Sequence, residues 1–232
     1  MIRFFVNNLT GDEAILTEEE YHHCIKVLRH RVGDDISVTD GKGTTAKAKI
    51  TQMSKSEAHL LLSDKDLSPP THKAIHLHVA PPKNRSRWEW LVEKSCELGV
   101  SSLTALVTER TERARINEER THKIMRSAAL QCLRPYHPEY KGSAPLNEVL
   151  LSSTEVQDRY LAHYRESNPA LASLKPNHQE CTILIGPEGD FSKAEISQCL
   201  DTGYHCVNLS HNRLRTETAA ITVVHTLKLM GY

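Results

Sequence analysis

Two stretches near the end of the chain carry the residue types and spacing that chemistry needs. The first, ILIGPEGDFSKAEI at 183–196, runs an apolar segment into Gly186-Pro187-Glu188-Gly189 and then Asp190. Glycines without Cβ let a ligand approach the backbone, and Pro187 stiffens the loop. A phosphate cradle needs several backbone N–H groups plus a Lys, or a G-x-G-x-x-G turn. Here Pro187 deletes a donor, and Glu188 and Asp190 set two carboxylates where an anion would sit. The loop suits a neutral or cationic ligand, or it is a tight connection whose glycines serve geometry alone. The second stretch, SHNRLRTETAA at 210–220, puts Arg213 and Arg215 just before a helix start. Cations there oppose the helix dipole by about 0.3–1 kcal/mol each, and Glu217 offsets part of that. A local rule broken without structural gain marks a candidate site; the alternative is two solvated arginines.

The elements that must position these loops read as follows. Cys181–Ile185 is a buried strand, and Ser192 with Glu195 forms a capping box that starts a helix near Lys193. The first loop therefore lies at the carboxyl end of a strand, where open α/β sheets bind ligands. Gly203 ends that helix, His205–Leu209 reads as a strand, and Ala220, Val223, Val224, Leu227 and Met230 form the stripe of a last helix. Two consecutive strand–loop–helix units can share one pocket, acidic on one side and arginine-bearing on the other. Upstream, Ile75, Leu77 and Val79 alternate as a strand. Trp88, Leu91, Val92, Ser95 and Leu98 recur at helical spacing and stop at Gly99. A strand at Leu103–Val107, a mixed-charge helix from Glu118 to Leu133 and a strand at Tyr160–Tyr164 complete the pattern. Strands alternating with helices argue for a mainly parallel sheet covered on both faces.

The first 70 residues read differently, as a compact β-rich module. Thr17 with Glu20 has capping-box spacing and Leu16 with Tyr21 staple spacing. The short helix expected there carries Tyr21, Ile25 and Leu28 on one face and stops near Gly33. Asp40-Gly41 between Ile36/Val38 and TTAKAKI signals a hairpin, and HLLL at 59–62 a further strand. SDKDLSPP at 63–70 is polar and ends in two prolines, so the chain divides into domains at 1–70 and 71–232.

Twenty-nine Lys and Arg balance 29 Asp and Glu, so no global field draws the chain to nucleic acid or to an anionic membrane. Nucleic-acid binding would come from local clusters. Arg3, Lys26, Arg29, His30 and Arg31 form one in the first domain, and Lys83, Arg85 and Arg87 precede the Trp88 helix. Each is otherwise a solvated face. Six scattered cysteines without C-x-x-C spacing read as reduced, mostly buried small hydrophobes. His76-x-His78 shares a strand face but lacks a third ligand at sensible spacing, so no metal is expected. The N-terminus lacks a long apolar run and nothing approaches a membrane span, so the expectation is a soluble, cytoplasmic protein without a membrane partner.

With those residues in view, IGPEGDFSKAE resembles the second motif of the SPOUT methyltransferases and LSHNRLRTETAA the third. Together with KSCELGV at 94–100 and VLRHRVGD at 27–34, the chain is similar to the RsmE family from Arg3-Phe4-Phe5 to the last helix. The resemblance implies an α/β fold: a C-terminal SPOUT α/β domain with a trefoil knot and a smaller N-terminal PUA-like β-barrel. It implies a homodimer and S-adenosylmethionine (S-adenosyl-L-methionine) as methyl donor. It further implies methylation of uracil N3 in 16S ribosomal RNA, free or in the assembled small subunit. Carried over by motif, Ile185, Gly186, Pro187, Glu188 and Gly189 wrap the cofactor and Leu209, Ser210, Leu214, Arg215 and Thr216 close it. Glu109-Arg110 falls at the first motif, with Arg110 toward RNA. Ser210 stands where the family usually has Gly, Asp190 replaces a second Gly, and Leu130 and Leu133 interrupt a helix motif, leaving Gln131 and Arg134.

The cofactor matches the loop chemistry, since its sulfonium is positive and it carries no phosphate. In-line methyl transfer draws much of its rate from positioning. Arg215 is expected to stabilise the developing uracil oxyanion, and Glu217 or Glu188 to receive the N3 proton. The competing readings are a SPOUT enzyme for another RNA nucleotide and a noncatalytic RNA-binding member of the fold.

Overall fold

The computed structural model describes residues 2–69, 73–112, 115–175 and 178–232. It divides into two compact units, one formed by Met1–Pro70 with Ala129–His137 and the other by Thr71–Ala128 with Pro138–Tyr232. The boundary expected between 70 and 71 falls among residues outside that description.

In the first unit, β1 (Arg3–Phe5), β2 (Glu13–Thr17), β3 (Asp35–Thr39), β4 (Thr44–Met53) and β5 (Glu57–Leu67) make one sheet in the order β1-β3-β4-β5-β2. All its pairs are antiparallel except β1 with β3. Alternation decides which face is buried. Ala58, Leu60 and Leu62 of β5 point inward with Ile36, Val38, Ala46, Ala48 and Ile50, and Phe4, Leu16, Tyr21 and Cys24 close the core. Asp40 shapes the hairpin expected after β3, its Oδ1 accepting from the backbone N–H of Lys42 (2.7 Å) and Thr44 (3.0 Å). Segment 129–137 joins this unit through bonds from the Gly43 N–H to the Pro135 carbonyl (2.9 Å) and from the Tyr136 hydroxyl to the Ser68 carbonyl (2.9 Å).

The first capping box does not form. Helix α1 (Glu18–Tyr21) starts from Glu18 at φ 53°, and Thr17 makes no side-chain cap bond. Glu20, the expected reciprocal partner, instead accepts from the Phe5 N–H through Oε2 (3.2 Å). Tertiary pairing with β1 wins over the local motif. The helix then widens into a π-helical turn, His22–Val27, capped by Leu28, so it ends before Gly33. Tyr21 is buried, and Ile25 and Leu28 pack against the same core, as their spacing suggested.

The second unit is a six-stranded sheet. Its strands are β6 (Ala74–Val79), β7 (Ser102–Val107), β8 (Glu139–Pro145), β9 (Asp158–Ala162), β10 (Glu180–Ile185) and β11 (His205–Val207). Their order is β11-β9-β10-β6-β7-β8 and every pair is parallel. Ile183 and Ile185 join a core with Trp88, Leu91 and Val92 of α2 (Arg85–Glu97), Met125 and Ala128 of α3 (Glu118–Gln131), and Val223, Val224 and Leu227 of α6 (Thr216–Leu229). Leu184, turned to the other face, packs with Val149 and Leu150 of α4 (Leu146–Ser152) and Ile196 and Cys199 of α5 (Lys193–Asp201). Burial on both faces is why β10 reads as an unbroken apolar run. Full burial of each such side chain contributes roughly 1.5–3 kcal/mol.

Helix α2 begins at Asn84, whose Oδ1 accepts from the Ser86 N–H (2.8 Å), and α5 at Ser192 with both halves of the expected capping box. β11 is shorter than expected because the Asn208 N–H bonds to the Pro169 carbonyl (2.9 Å). Of the mixed-charge run, Arg113 and Ala114 lie outside the described residues, and the helix starts at Glu118. Cys24, Cys96, Cys181 and Cys199 are buried, and burial pushes the Cys24 and Cys199 thiols up to about 12. Among the described residues no helix is long and apolar enough to cross a membrane.

Candidate active site

Three strands of the second unit end side by side, and their following loops form one cup. β9 delivers Ala162, His163 and Tyr164; β10 delivers Ile185 to Glu188 and Asp190; β11 delivers Val207 and, beyond it, Leu209, Ser210 and 212–216. They enclose a cavity of about 430 Å³, and Ala219 of α6 completes its lining. That volume lies in the range of small-molecule sites. The acidic glycine loop and the arginine loop thus face one space.

Each loop is tied to a neighbour. The Thr216 hydroxyl donates to the Gly186 carbonyl (3.1 Å). His163 Nδ1 lies 2.9 Å from Asp190 Oδ2. The Asn208 side chain accepts from the Arg165 N–H (3.1 Å) and donates to the Asn168 carbonyl (3.0 Å). Gly186 is needed sterically, since a Cβ there would meet the Phe191 ring at 2.9 Å. A fourth loop, after β7, is held by Glu195, whose Oε1 accepts from the Glu109 N–H (2.8 Å) while Oε2 accepts from the Ser192 N–H (2.8 Å). Arg110 of that loop donates to the Gly189 carbonyl (2.8 Å).

Of the residues expected from sequence to hold a cofactor, Ile185, Gly186, Pro187, Glu188, Leu209, Ser210, Leu214, Arg215 and Thr216 all line the cavity. Gly189 does not, although it belongs to the same turn. Arg215 is the N-cap of α6 and is exposed, with no side-chain capping bond. Glu188 sits at the rim, its Oε1 accepting from the Lys83 N–H (3.3 Å). Glu217 is outside the lining: it is 8% exposed, its Oε1 is 3.5 Å from Arg87 Nε, and its Oε2 has no partner among the described residues. The sequence reading missed His163, Tyr164 and Asn212. The polar run after β9 gave no signal of its own, and only the sheet order brings it beside β10.

The basic residues are distributed between the units. In the first, Lys26, Arg29 and Arg31 are exposed, His30 pairs with Asp34 (3.2 Å), and Arg3 donates to the Leu133 carbonyl (2.8 Å). In the second, Lys83 pairs with Glu112 (2.8 Å), Arg85 with Glu89 (2.7 Å) and Arg87 with Glu217. His76 bonds the Ser102 hydroxyl (2.7 Å), while burial pushes His78 down to about 3. Among the described residues no three metal-binding side chains converge.

Comparison with known proteins matches the RNA methyltransferase domain over residues 69–228 and the RNA methyltransferase PUA domain over 16–63. A probable rRNA-methyltransferase from Porphyromonas gingivalis is 30% identical, with a TM-score of 0.90 over 99% of this chain and 98% of its own. A Legionella pneumophila protein described as a methyltransferase with bound cofactor SAM is 28% identical, with a TM-score of 0.86 over 98% of this chain and 97% of its own. Ribosomal RNA small subunit methyltransferase E of Buchnera aphidicola is 28% identical over 93% of this chain and 87% of its own length. With a match across most of its length and a cup built from the loops that carried the resemblance, the chain belongs to the RNA methyltransferase domain family, in the RsmE branch of the SPOUT methyltransferases.

Proposed function

We propose that this chain transfers the methyl group of S-adenosylmethionine to N3 of a uridine in 16S ribosomal RNA. The observation that carries the reading is the meeting of the Glu188 and Arg215 loops around one cavity, in a chain whose relatives are small-subunit RNA methyltransferases by name. The cavity fits the donor: its carboxylates suit a sulfonium, its arginines a carboxylate, and Pro187 leaves it without the N–H row a phosphate needs. Ile185, Gly186, Pro187, Leu209, Ser210, Leu214 and Thr216 would hold it, with Gly189 shaping the turn.

When bound, S-adenosylmethionine supplies an electrophilic methyl on its sulfonium. The cup's own residues must orient the base and move one proton. Arg215 faces the charge that develops on the uracil oxygens as N3 loses its proton. Of the two carboxylates considered as acceptor, Glu188 is favoured because it lines the cavity, while Glu217 turns toward Arg87. Glu188→Gln should therefore slow methyl transfer by about 10²-fold, and the defect should shrink as pH rises and the base ionises unaided. A pH-independent deficit would point to another acceptor.

Lys26, Arg29 and Arg31 of the PUA-type domain bind RNA phosphates in this reading, together with His30 and Arg3 of the same domain and with Arg85 and Arg110 of the second. Arg29→Glu with Arg31→Glu should weaken RNA binding roughly 10-fold at low salt and reduce the salt slope by about 1–2. An unchanged slope would refute the phosphate contacts. In this reading the protein works as a cytoplasmic homodimer; Trp90 on α2 and Leu229 on α6 are exposed large hydrophobic side chains of the kind a partner copy would cover. Light scattering checks that. The function is tested by incubating protein and donor with 16S RNA, free and as assembled subunit, and digesting for mass spectrometry. The expected product is 3-methyluridine. Methylation of another nucleotide would favour the alternative SPOUT enzyme, and no methylation with intact RNA binding the noncatalytic reading.

A further inference from the structure

Asp190 occupies a backbone position that favours glycine. Its φ is 60°, in the left-handed region, which aspartate enters more readily than most side chains but still at a cost relative to glycine. A glycine would close the same turn without that cost, so the carboxylate is the feature to explain. Both of its oxygens are fixed. Oδ1 accepts from the Phe191 N–H (2.8 Å) and Oδ2 from His163 Nδ1 (2.9 Å). Arg165 Nε lies 3.0 Å from His163 Nε2. A guanidinium only donates, so Nε2 is the acceptor and the ring proton sits on Nδ1, facing Asp190. The His163 side chain is 9% exposed, and Asn208 holds Arg165 at both its N–H and its carbonyl (3.1 and 2.6 Å). The outcome is an oriented carboxylate, half-exposed, in the cavity wall.

The charges around that cavity are Glu188 and Asp190 against Arg213 and Arg215, and they balance. Without Asp190 the cup carries an excess positive charge. We propose that Asp190, oriented by His163 and Arg165, makes this pocket discriminate between the sulfonium methyl donor and its neutral thioether product. The inference rests on the methyltransferase reading above. S-adenosylmethionine and S-adenosylhomocysteine differ by one methyl group and one positive charge, so their affinity ratio isolates the electrostatic contribution. Transfer removes the charge that Asp190 attracts, and the same carboxylate then ceases to hold the product. A half-exposed pair in a solvent-open cup is worth far less than a buried one, and a five- to tenfold effect is the expected scale. His163 acts through Asp190 and is a positioning residue.

The test is calorimetric titration of wild type, Asp190→Asn and Asp190→Gly with both ligands. The glycine variant tolerates the turn's φ and keeps the fold. Affinity for S-adenosylmethionine should fall about five- to tenfold in both variants, while that for S-adenosylhomocysteine stays within about twofold. Adding His163→Gln to Asp190→Gly should leave the ratio where Asp190→Gly set it. Equal losses for both ligands, or no loss for either, would overturn the preference and leave the methyltransferase reading standing. A further shift from His163→Gln would overturn its positioning role. Wild-type protein that binds neither ligand would overturn both readings together.

Discussion

Arg215→Ala is expected to lower the single-turnover methylation rate by about 10²–10³-fold while leaving the protein as stable as before, or slightly more so. The two halves of that expectation have separate causes. Arg215 caps α6 with its backbone (φ −69°, ψ 155°) and offers no side-chain bond to the helix. Among the described residues its guanidinium makes no hydrogen bond or ion pair, although it borders the cavity. A cation at a helix N-terminus is unfavourable by about 0.3–1 kcal/mol, so its removal costs the fold nothing. Removing a preorganised donor aimed at developing negative charge typically costs about 2.7–4 kcal/mol of transition-state stabilisation. A melting curve at or above wild type beside a rate loss of that size would mark Arg215 as kept for chemistry. If the variant methylated RNA at the wild-type rate, the oxyanion role would be lost. Arg213→Ala, at the same mouth, should raise KM for the donor more than it lowers kcat.

The parts legible in the sequence were those where local and tertiary preferences agree. β10 shows as a continuous apolar run because both its faces are buried, and α5 starts where Ser192 and Glu195 say it should. The stripe of α6 was visible for the same reason, and its two misplaced arginines because they break the local dipole rule at its start. Where a long-range partner intervened, reading failed. The Thr17–Glu20 box lost its glutamate to the Phe5 N–H of a different strand. β8 (EYKGSAP) has no apolar alternation, with Tyr140 its one buried side chain, and is a strand because β7 templates it. His163 lies in a polar run whose neighbour across the sheet is fixed by strand order alone. Nothing local links 163 to 190.

Glu195 shows how much of a site can hide inside an ordinary capping motif, and its replacement by Ala should be the most destabilising single change near the cup. The sequence identifies Glu195 as the reciprocal half of a box with Ser192, a feature worth about 1 kcal/mol when its serine is removed. The structure adds a second duty. One carboxylate oxygen takes the Ser192 N–H and the other the Glu109 N–H, 86 positions away, and the side chain is 8% exposed. Truncation leaves two donors without their acceptor, at about 1–3 kcal/mol each. The expected loss is therefore roughly 3–4 kcal/mol, against about 1 for Ser192→Ala, or on the order of 10 °C in melting temperature. Glu195→Gln should recover little, because its NH₂ group would face one of the same backbone donors. Hydrogen exchange separates this from a simple helix-cap effect. If Glu195 braces both loops, the Glu109 amide loses protection along with Ser192, and Arg110 loses its fixed reach to the Gly189 carbonyl. Fraying confined to the first turn of α5 would show that the tie to Glu109 contributes nothing, and that the loop after β7 is held by its own contacts.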